Sequence, residues 1–365
     1  MTSEVDLVDR LARAQLAMAA THVDVLLLSV GRDLLYLTGY EAPLLERLTM
    51  AVIPKHGSAT MFVPELEAPK VPYHPDVFDV RPWGETADPV ALVAAAAGEA
   101  RVAAIGDQTW AAFLLALQER MPRTRFVSAG PVSSSLRLYK SDAEVALLRA
   151  AGSAADKVAL RLEETRFAGR TEADLAADVS SMLIEEGHHA AWTPIVASGP
   201  NGASPHHQAG HRAIAEHDAV VIDFGGTLGG YHSDTTRMFY VGDPGREVLD
   251  VHELVRAAQE AGVTAAVAGA RAGDVDRAAR TVISEAGYGE FFIHRTGHGI
   301  GLDMHEEPYI VAGNEALLAK GMAFSVEPGV YLPGKFGVRI EDVVALVESG
   351  AERLNNSPRS PVIVG

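Results

Sequence analysis

The chain has 365 residues, of which 48% are apolar and 22% charged, enough to bury a sizeable core and to form more than one domain. Its formal net charge of −17 at pH 7 argues against the basic surface by which a nucleic-acid binder engages a phosphate backbone. Because it contains no cysteine, disulfide scaffolds, thiolate zinc sites and cysteine nucleophiles are excluded.

The first residues, MTSEVDLVDRLARAQ, carry acids and no basic segment leading into an apolar one, so no secretory leader is expected. No stretch approaches the ~20 apolar residues of a membrane helix, and a cytoplasmic protein without a membrane partner is expected. Val5, Val8, Leu11, Ala12 and Leu16 recur at helical spacing over 5–20, and the apolar run VDVLLLSV then suits a buried strand. Further strands are predicted over 48–54, 59–64, 102–107 and 126–128, with Ala-rich helices over 89–99 and 109–120. This alternation predicts a small α/β domain. The pattern breaks over 128–138, where Gly130, Pro131 and three serines stand, so domains of 1–136 and 137–365 are expected.

Ser141 opens the next helix, with Glu144 as its capping-box partner. Another starts at Thr171, with Asp174 as cap partner, and ends near Gly187; helical periodicity returns over 246–268 and 274–286. FAGRTEADLAADV and ARAGDVDRAARTV lie about 104 residues apart and share a Gly, an acid and an Ala-rich helix start. Chance similarity or a duplicated αβ unit would each produce that echo.

The chemistry concentrates in the last 150 positions. In DAVVIDFGGTLGGYHSDTTRMFYV a strand ends at Asp223, the glycines 225, 226, 229 and 230 permit a tight turn, and a second strand carries Asp234. Taken singly, each aspartate reads as decorating a turn. Facing one another in a partly dry site, they would repel unless a cation stood between them. HRTGHGIGLDMHEEPYI then places His294, His298 and His305 within twelve residues, too irregular for one helix face and of the residue type used for metal ligation and proton transfer. Glu327 and Glu341 each follow an apolar, β-rich run, where a buried carboxylate without a partner costs several kcal/mol. Four carboxylates and one imidazole suit Mn²⁺, Co²⁺, Fe²⁺ or Zn²⁺.

These strings, VVIDFGG, HSDTTR, HRTGHGIGLDMHEEP, SVEPGVY and GVRIEDV, resemble the M24 metallopeptidases, and among them the proline-specific branch of prolidase and aminopeptidase P. The resemblance covers about 137 to 365, with a creatinase-type domain expected ahead of it. It implies a small α/β N-terminal domain and a C-terminal pita-bread α+β domain, with a curved antiparallel sheet in two pseudo-symmetric halves. It further implies two divalent ions, Mn²⁺ first with Co²⁺ or Zn²⁺ as alternatives. Asp223 and Asp234 would hold one ion, His298 and Glu327 the other, with Asp234 and Glu341 bridging. Glu327 would be the general base, and Arg339 would orient the acids. His206 would approach the scissile amide, with His207 beside it leaving a one-position ambiguity. His294 would contact the proline side and His305 the tetrahedral intermediate. The implied reaction is hydrolysis of an Xaa-Pro bond, in dipeptides (prolidase) or in longer peptides (aminopeptidase P). Tyr231 and Arg47 are candidate anchors for a dipeptide carboxylate. A homodimer is implied. The competing readings are a non-peptide C–N hydrolase and a non-catalytic binding protein of the same fold.

Overall fold

The computed structural model describes residues 4–365, with side chains from residue 6 onward, so the reading of Val5 lies outside the described side chains. The chain divides into two compact units, 1–137 and 138–365.

In the first unit a six-stranded sheet has Val25–Ser29 near its middle, antiparallel to Met50–Pro54 and parallel to Val102–Ile105. Buried by its neighbours and by helices, this strand can be apolar at four consecutive positions. Trp83, Val93, Leu117 and Met121 complete a core with Val25, Leu27 and Val52. The opening helix, Glu4–Ala20, buries Leu7, Leu11, Ala14 and Met18, whereas Val8 and Leu16 are 42% and 71% exposed. The buried stripe therefore shares Leu11 with the face read from the sequence but leaves Val8, Ala12 and Leu16 outside it. Two further differences have local causes. Gly130–Leu138, expected as a break, is a helix in which Ser133 and Ser135 return their hydroxyls to the carbonyls of Ala129 and Val132. Phe78–Trp83, not anticipated, is a strand that tolerates Pro82 because it lies at the sheet edge.

In the second unit the helices come in two pairs, Asp142–Glu163 with Glu172–Glu185 and Arg246–Ala265 with Ala272–Glu285. The Ser141–Glu144 capping box is formed from both sides. A four-stranded sheet runs in the order Val362–Val364, Thr235–Val241, Ala219–Phe224, Ile195–Ser198, and a five-stranded sheet in the order Glu306–Ile310, Gly297–Gly299, Ala323–Val326, Asp342–Val347, Gly350–Arg353. Strand Ala219–Phe224 alternates its side chains between two cores. Val220, Ile222 and Phe224 pack on the first helix pair, and Ala219 and Val221 on Arg246–Ala265. Burial of a side chain such as Phe224 contributes about 1.5–3 kcal/mol.

Each helix pair is tied to a later segment of the chain by the same pattern of hydrogen bonds. Gly169 donates to Ile214 and Gly269 to Leu318; Ala173 donates to Gly210 and Gly273 to Asn314. Both second helices have 14 residues and begin at 172 and 272, so the structural repeat is offset by 100 residues at this point. The 104-residue spacing matched Gly169 to Gly273, whereas the left-handed glycines that correspond are Gly169 and Gly269.

Candidate metal centre

The strands deliver the candidate residues from four places. Asp223 sits near the end of Ala219–Phe224, and Asp234 immediately precedes the antiparallel strand Thr235–Val241, with Thr236 opposite Asp223. The four glycines between them divide their work. Gly229 and Gly230 take φ of +61° and +88° at the turn. Gly225 and Gly226 instead allow close approach, because a Cβ on Gly225 would lie 2.0 Å from the Ser233 carbonyl oxygen and one on Gly226 2.4 Å from that of Ala190. His298 is in strand Gly297–Gly299, Glu327 directly follows Ala323–Val326, and Glu341 lies between Phe336–Arg339 and Asp342–Val347, bridged to Thr236.

Among the described residues, Asp234, His298 and Glu341 form a buried group whose potential ligand atoms all lie within 4.8 Å of one another. Glu327 joins them, its Oε1 being 3.4 Å from His298 Nε2, and Asp234 Oδ2 lies 3.6 Å from the same nitrogen. The His298 Nδ1 faces the Gly299 carbonyl at 3.1 Å. A carbonyl can only accept, so Nδ1 carries the proton and Nε2 presents a lone pair to the carboxylates. Burial pushes the ring down to about 3, so it is neutral and does not offset their charge. A lone pair and carboxylate oxygens converging on one point favour a cation there.

The acids show the same demand. Burial pushes Glu341 well above the carboxylate range, and Asp234, Glu327 and Asp223 push it further. Burial also raises Asp234, with Asp223 and Glu327 adding to it. Glu327 is pushed up to about 7, by burial against the opposing pull of Arg339. Asp223 Oδ2 accepts from Arg339 Nη2 at 2.6 Å, but its Oδ1 is buried without a partner among the described residues. The oxygen-rich donor set, this orphaned atom and the free imidazole nitrogen all fit divalent metal.

A shell of hydroxyls holds the centre. Thr236 Oγ1 donates to Glu341 Oε2 at 2.7 Å and accepts from Arg339 Nε at 3.0 Å. Ser325 Oγ donates to Glu327 Oε1 at 3.0 Å and accepts from the His298 amide at 3.1 Å. Arg339 Nη1 donates to the Tyr331 hydroxyl (2.8 Å), which lies 2.8 Å from His294 Nε2; the other ring nitrogen faces the Arg295 carbonyl at 2.7 Å. By the same reasoning Nδ1 of His294 is protonated, and its Nε2 accepts from Tyr331. Burial pushes the His294 ring down to about 4. Thr236, Ser325 and Tyr331 were not singled out from the sequence, although each lies within a string that was; a lone hydroxyl carries no spacing signal of its own.

His305 packs edge-on against His298 with centroids 4.0 Å apart. His206 is exposed and lies near Asp223, whose carboxyl is raised by burial against the opposing pull of Arg339 and, more weakly, of His206. His207 instead places Nε2 2.8 Å from buried Glu172, which separates the two adjacent histidines. Tyr231 is buried, its hydroxyl donating to Glu144. Arg47 lies in the first unit, with Nη1 3.0 Å from Glu85.

Comparison with known proteins gives the family of the chain. Residues 146–348 match the model of metallopeptidase family M24, and residues 10–139 that of the creatinase/prolidase N-terminal domain. The chain belongs to metallopeptidase family M24 and is a metallopeptidase enzyme, with the creatinase-type N-terminal domain and pita-bread C-terminal domain of that family. It is 44% identical over 360 residues to a probable dipeptidase PepE of Mycobacterium tuberculosis, covering 97% of this chain and 96% of that one. It is 34% identical to an Xaa-Pro dipeptidase of Lactobacillus helveticus, covering 93% and 95%. The crystal structure of dipeptidase PepE from Mycobacterium ulcerans superposes with a TM-score of 0.93 at 43% identity, covering 100% and 99%.

Proposed function

We propose that the protein hydrolyses the Xaa-Pro bond of dipeptides with two divalent ions, Mn²⁺ foremost and Co²⁺ or Zn²⁺ as alternatives. The observation that carries this reading is the convergence of the His298 Nε2 lone pair with buried carboxylates. Asp223, Asp234, His298, Glu327 and Glu341 would hold the ions, which, when bound, polarise a carbonyl and acidify nearby water. Glu327 takes a proton from the attacking water and passes it towards the leaving proline nitrogen. His305, beside His298, donates a hydrogen bond to the developing oxyanion. His206 approaches the scissile amide. His294, its tautomer set by the Arg295 carbonyl and the Tyr331 hydroxyl, lines the proline side. Arg339 holds Asp223 and Thr236, fixing the acids in position.

The names of the similar proteins support dipeptides over longer substrates. Tyr231 gives its one hydroxyl proton to Glu144 and has none for a dipeptide carboxylate, which leaves Arg47 as the candidate anchor, and the enzyme is read as a cytoplasmic homodimer. Assay of chelated and metal-reconstituted protein on Ala-Pro, Ala-Pro-Gly and Ala-Ala tests the assignment. Cleavage of Ala-Pro is expected, lost on chelation and restored best by Mn²⁺. Activity indifferent to chelation refutes the metal reading, and preference for the tripeptide refutes the dipeptidase reading.

A further inference from the structure

Glu172 opens the helix Glu172–Glu185 and is fully buried, yet it is not one of the four acids of the metal centre. Its carboxylate collects donors from a single segment. Oε1 accepts from the Ser198 amide at 2.8 Å, the Ser198 hydroxyl at 2.7 Å and the Asn201 side chain at 3.0 Å. Oε2 lies 2.8 Å from His207 Nε2 and accepts from Asn201 at 3.2 Å and the Gly210 amide at 3.4 Å. These hydrogen bonds, together with its place in the first turn of a helix, hold Glu172 ionised below the usual carboxylate range despite the opposing effect of burial.

The donors flank His206 on both sides. The opposite side of the same segment rests on the strand Phe336–Arg339: Arg339 Nη1 donates to the Pro205 carbonyl at 3.3 Å, and a Cβ on Gly337 would lie 1.9 Å from the Gly202 carbonyl oxygen. Residues 198–210 are thus clamped between Glu172 and the strand whose arginine holds Asp223. The His206 ring is exposed, so its aim is set through its backbone.

We propose that Glu172 is a positioning residue for hydrolysis, its buried carboxylate fixing the 198–210 segment so that His206 faces the acidic centre. This rests on the reading above in which His206 acts on the scissile amide.

The test is a double-mutant cycle of Glu172→Gln and His206→Ala in Mn²⁺-loaded protein on Ala-Pro, with peptide-level hydrogen exchange on the metal-free proteins. Glu172→Gln should lower kcat on the order of 10- to 100-fold through misplacement of His206, with KM within about twofold. The double variant should be no slower than His206→Ala. Exchange over 198–210 should quicken at least about tenfold, while 297–299 and 323–342 stay protected. Losses that multiply, or exchange that quickens throughout, overturn the proposal. Should Glu172→Gln fail to fold, Asn201→Ala and His207→Phe each remove a donor to Glu172. A kcat loss absorbed by His206→Ala supports the proposal, and unchanged kcat in both overturns it. A wild type that does not cleave Ala-Pro refutes the Xaa-Pro reading instead, and the exchange measurement alone then decides the role of Glu172.

Discussion

Replacing Glu327 by Gln should stabilise the metal-free protein and destabilise the loaded one. Without a cation the folded chain holds the Glu327 carboxyl up at about 7, against 4.5 in the unfolded chain. An acid raised in this way gives full stability below its unfolded value, and that stability is lost as pH rises through the folded value. At pH 8 both states are ionised, and the gap between about 7 and 4.5 costs the metal-free fold about 3 kcal/mol at about 1.36 kcal/mol per pH unit. At pH 5 the unfolded carboxyl is about three-quarters ionised while the folded one stays protonated, and the cost is about 1 kcal/mol. Glutamine keeps an oxygen to accept from Ser325 and cannot ionise. The 16% exposure of the Glu327 side chain makes these upper figures. At about 2–4 °C per kcal/mol for a unit of this size, the variant should melt about 6–12 °C higher than wild type in chelator at pH 8 and about 2–4 °C higher at pH 5. The depressed histidines are common to both proteins and cancel in the difference. With Mn²⁺ in excess the order should reverse, because the variant has lost an anionic ligand and with it part of the linked stabilisation. Thermal melts with chelator and with metal at both pH values measure all four differences. A variant less stable than wild type in chelator at pH 8, or a gain equal at pH 5 and pH 8, would refute the placement of Glu327 in a charge-starved cluster.

Tyr331→Phe keeps the buried ring but breaks the relay from Arg339 to His294, and kcat on Ala-Pro should fall by about 10²-fold with metal content unchanged on elemental analysis; a normal kcat would remove Tyr331 from the site. Gly297→Ala puts a Cβ 1.9 Å from the Ser325 carbonyl oxygen and must part the strands that carry His298 and Glu327. Titration should show Mn²⁺ affinity down by at least about tenfold, comparable to the loss of a supporting group around a metal site. Arg237 donates to the carbonyls of Thr236 and Glu341 and to buried Asp342, so Arg237→Met should cost about 3–5 kcal/mol in urea denaturation; less than about 1 kcal/mol would mean that Arg353 and Arg359 suffice for Asp342.

Local patterns carried much of the fold in the sequence. The capping box at Ser141 and the strand Ala59–Pro64 follow from short-range chemistry, and the structure places them where the residues indicated. Readings failed where tertiary context outweighs local preference. Gly130–Leu138 is helical because Val132, Ser133 and Leu136 are buried and the serine hydroxyls return to the helix backbone, although glycine, proline and serine locally favour a break. On the first helix the apolar residues were visible, but which of them face inward depended on the helix Arg32–Thr38 packed against it.

The sequence by itself determined which residues carry charge, imidazole and conformational freedom, because identity and order along the chain are enough to mark Asp223, Asp234, His298, Glu327 and Glu341 as acids and a ligand base set among glycines and apolar strands. Their meeting was decided by tertiary structure. Strand register sets Thr236 opposite Asp223, and a bridge sets it against Glu341. Orientation was decided there too: a carbonyl at Gly299 turns the His298 lone pair to the acids, and a buried carboxylate at Glu172 takes His207 away from them. Such choices rest on angles and distances between atoms, whether of neighbours such as His298 and Gly299 or of Thr236 and Glu341, 105 positions apart, and no spacing along the chain encodes them.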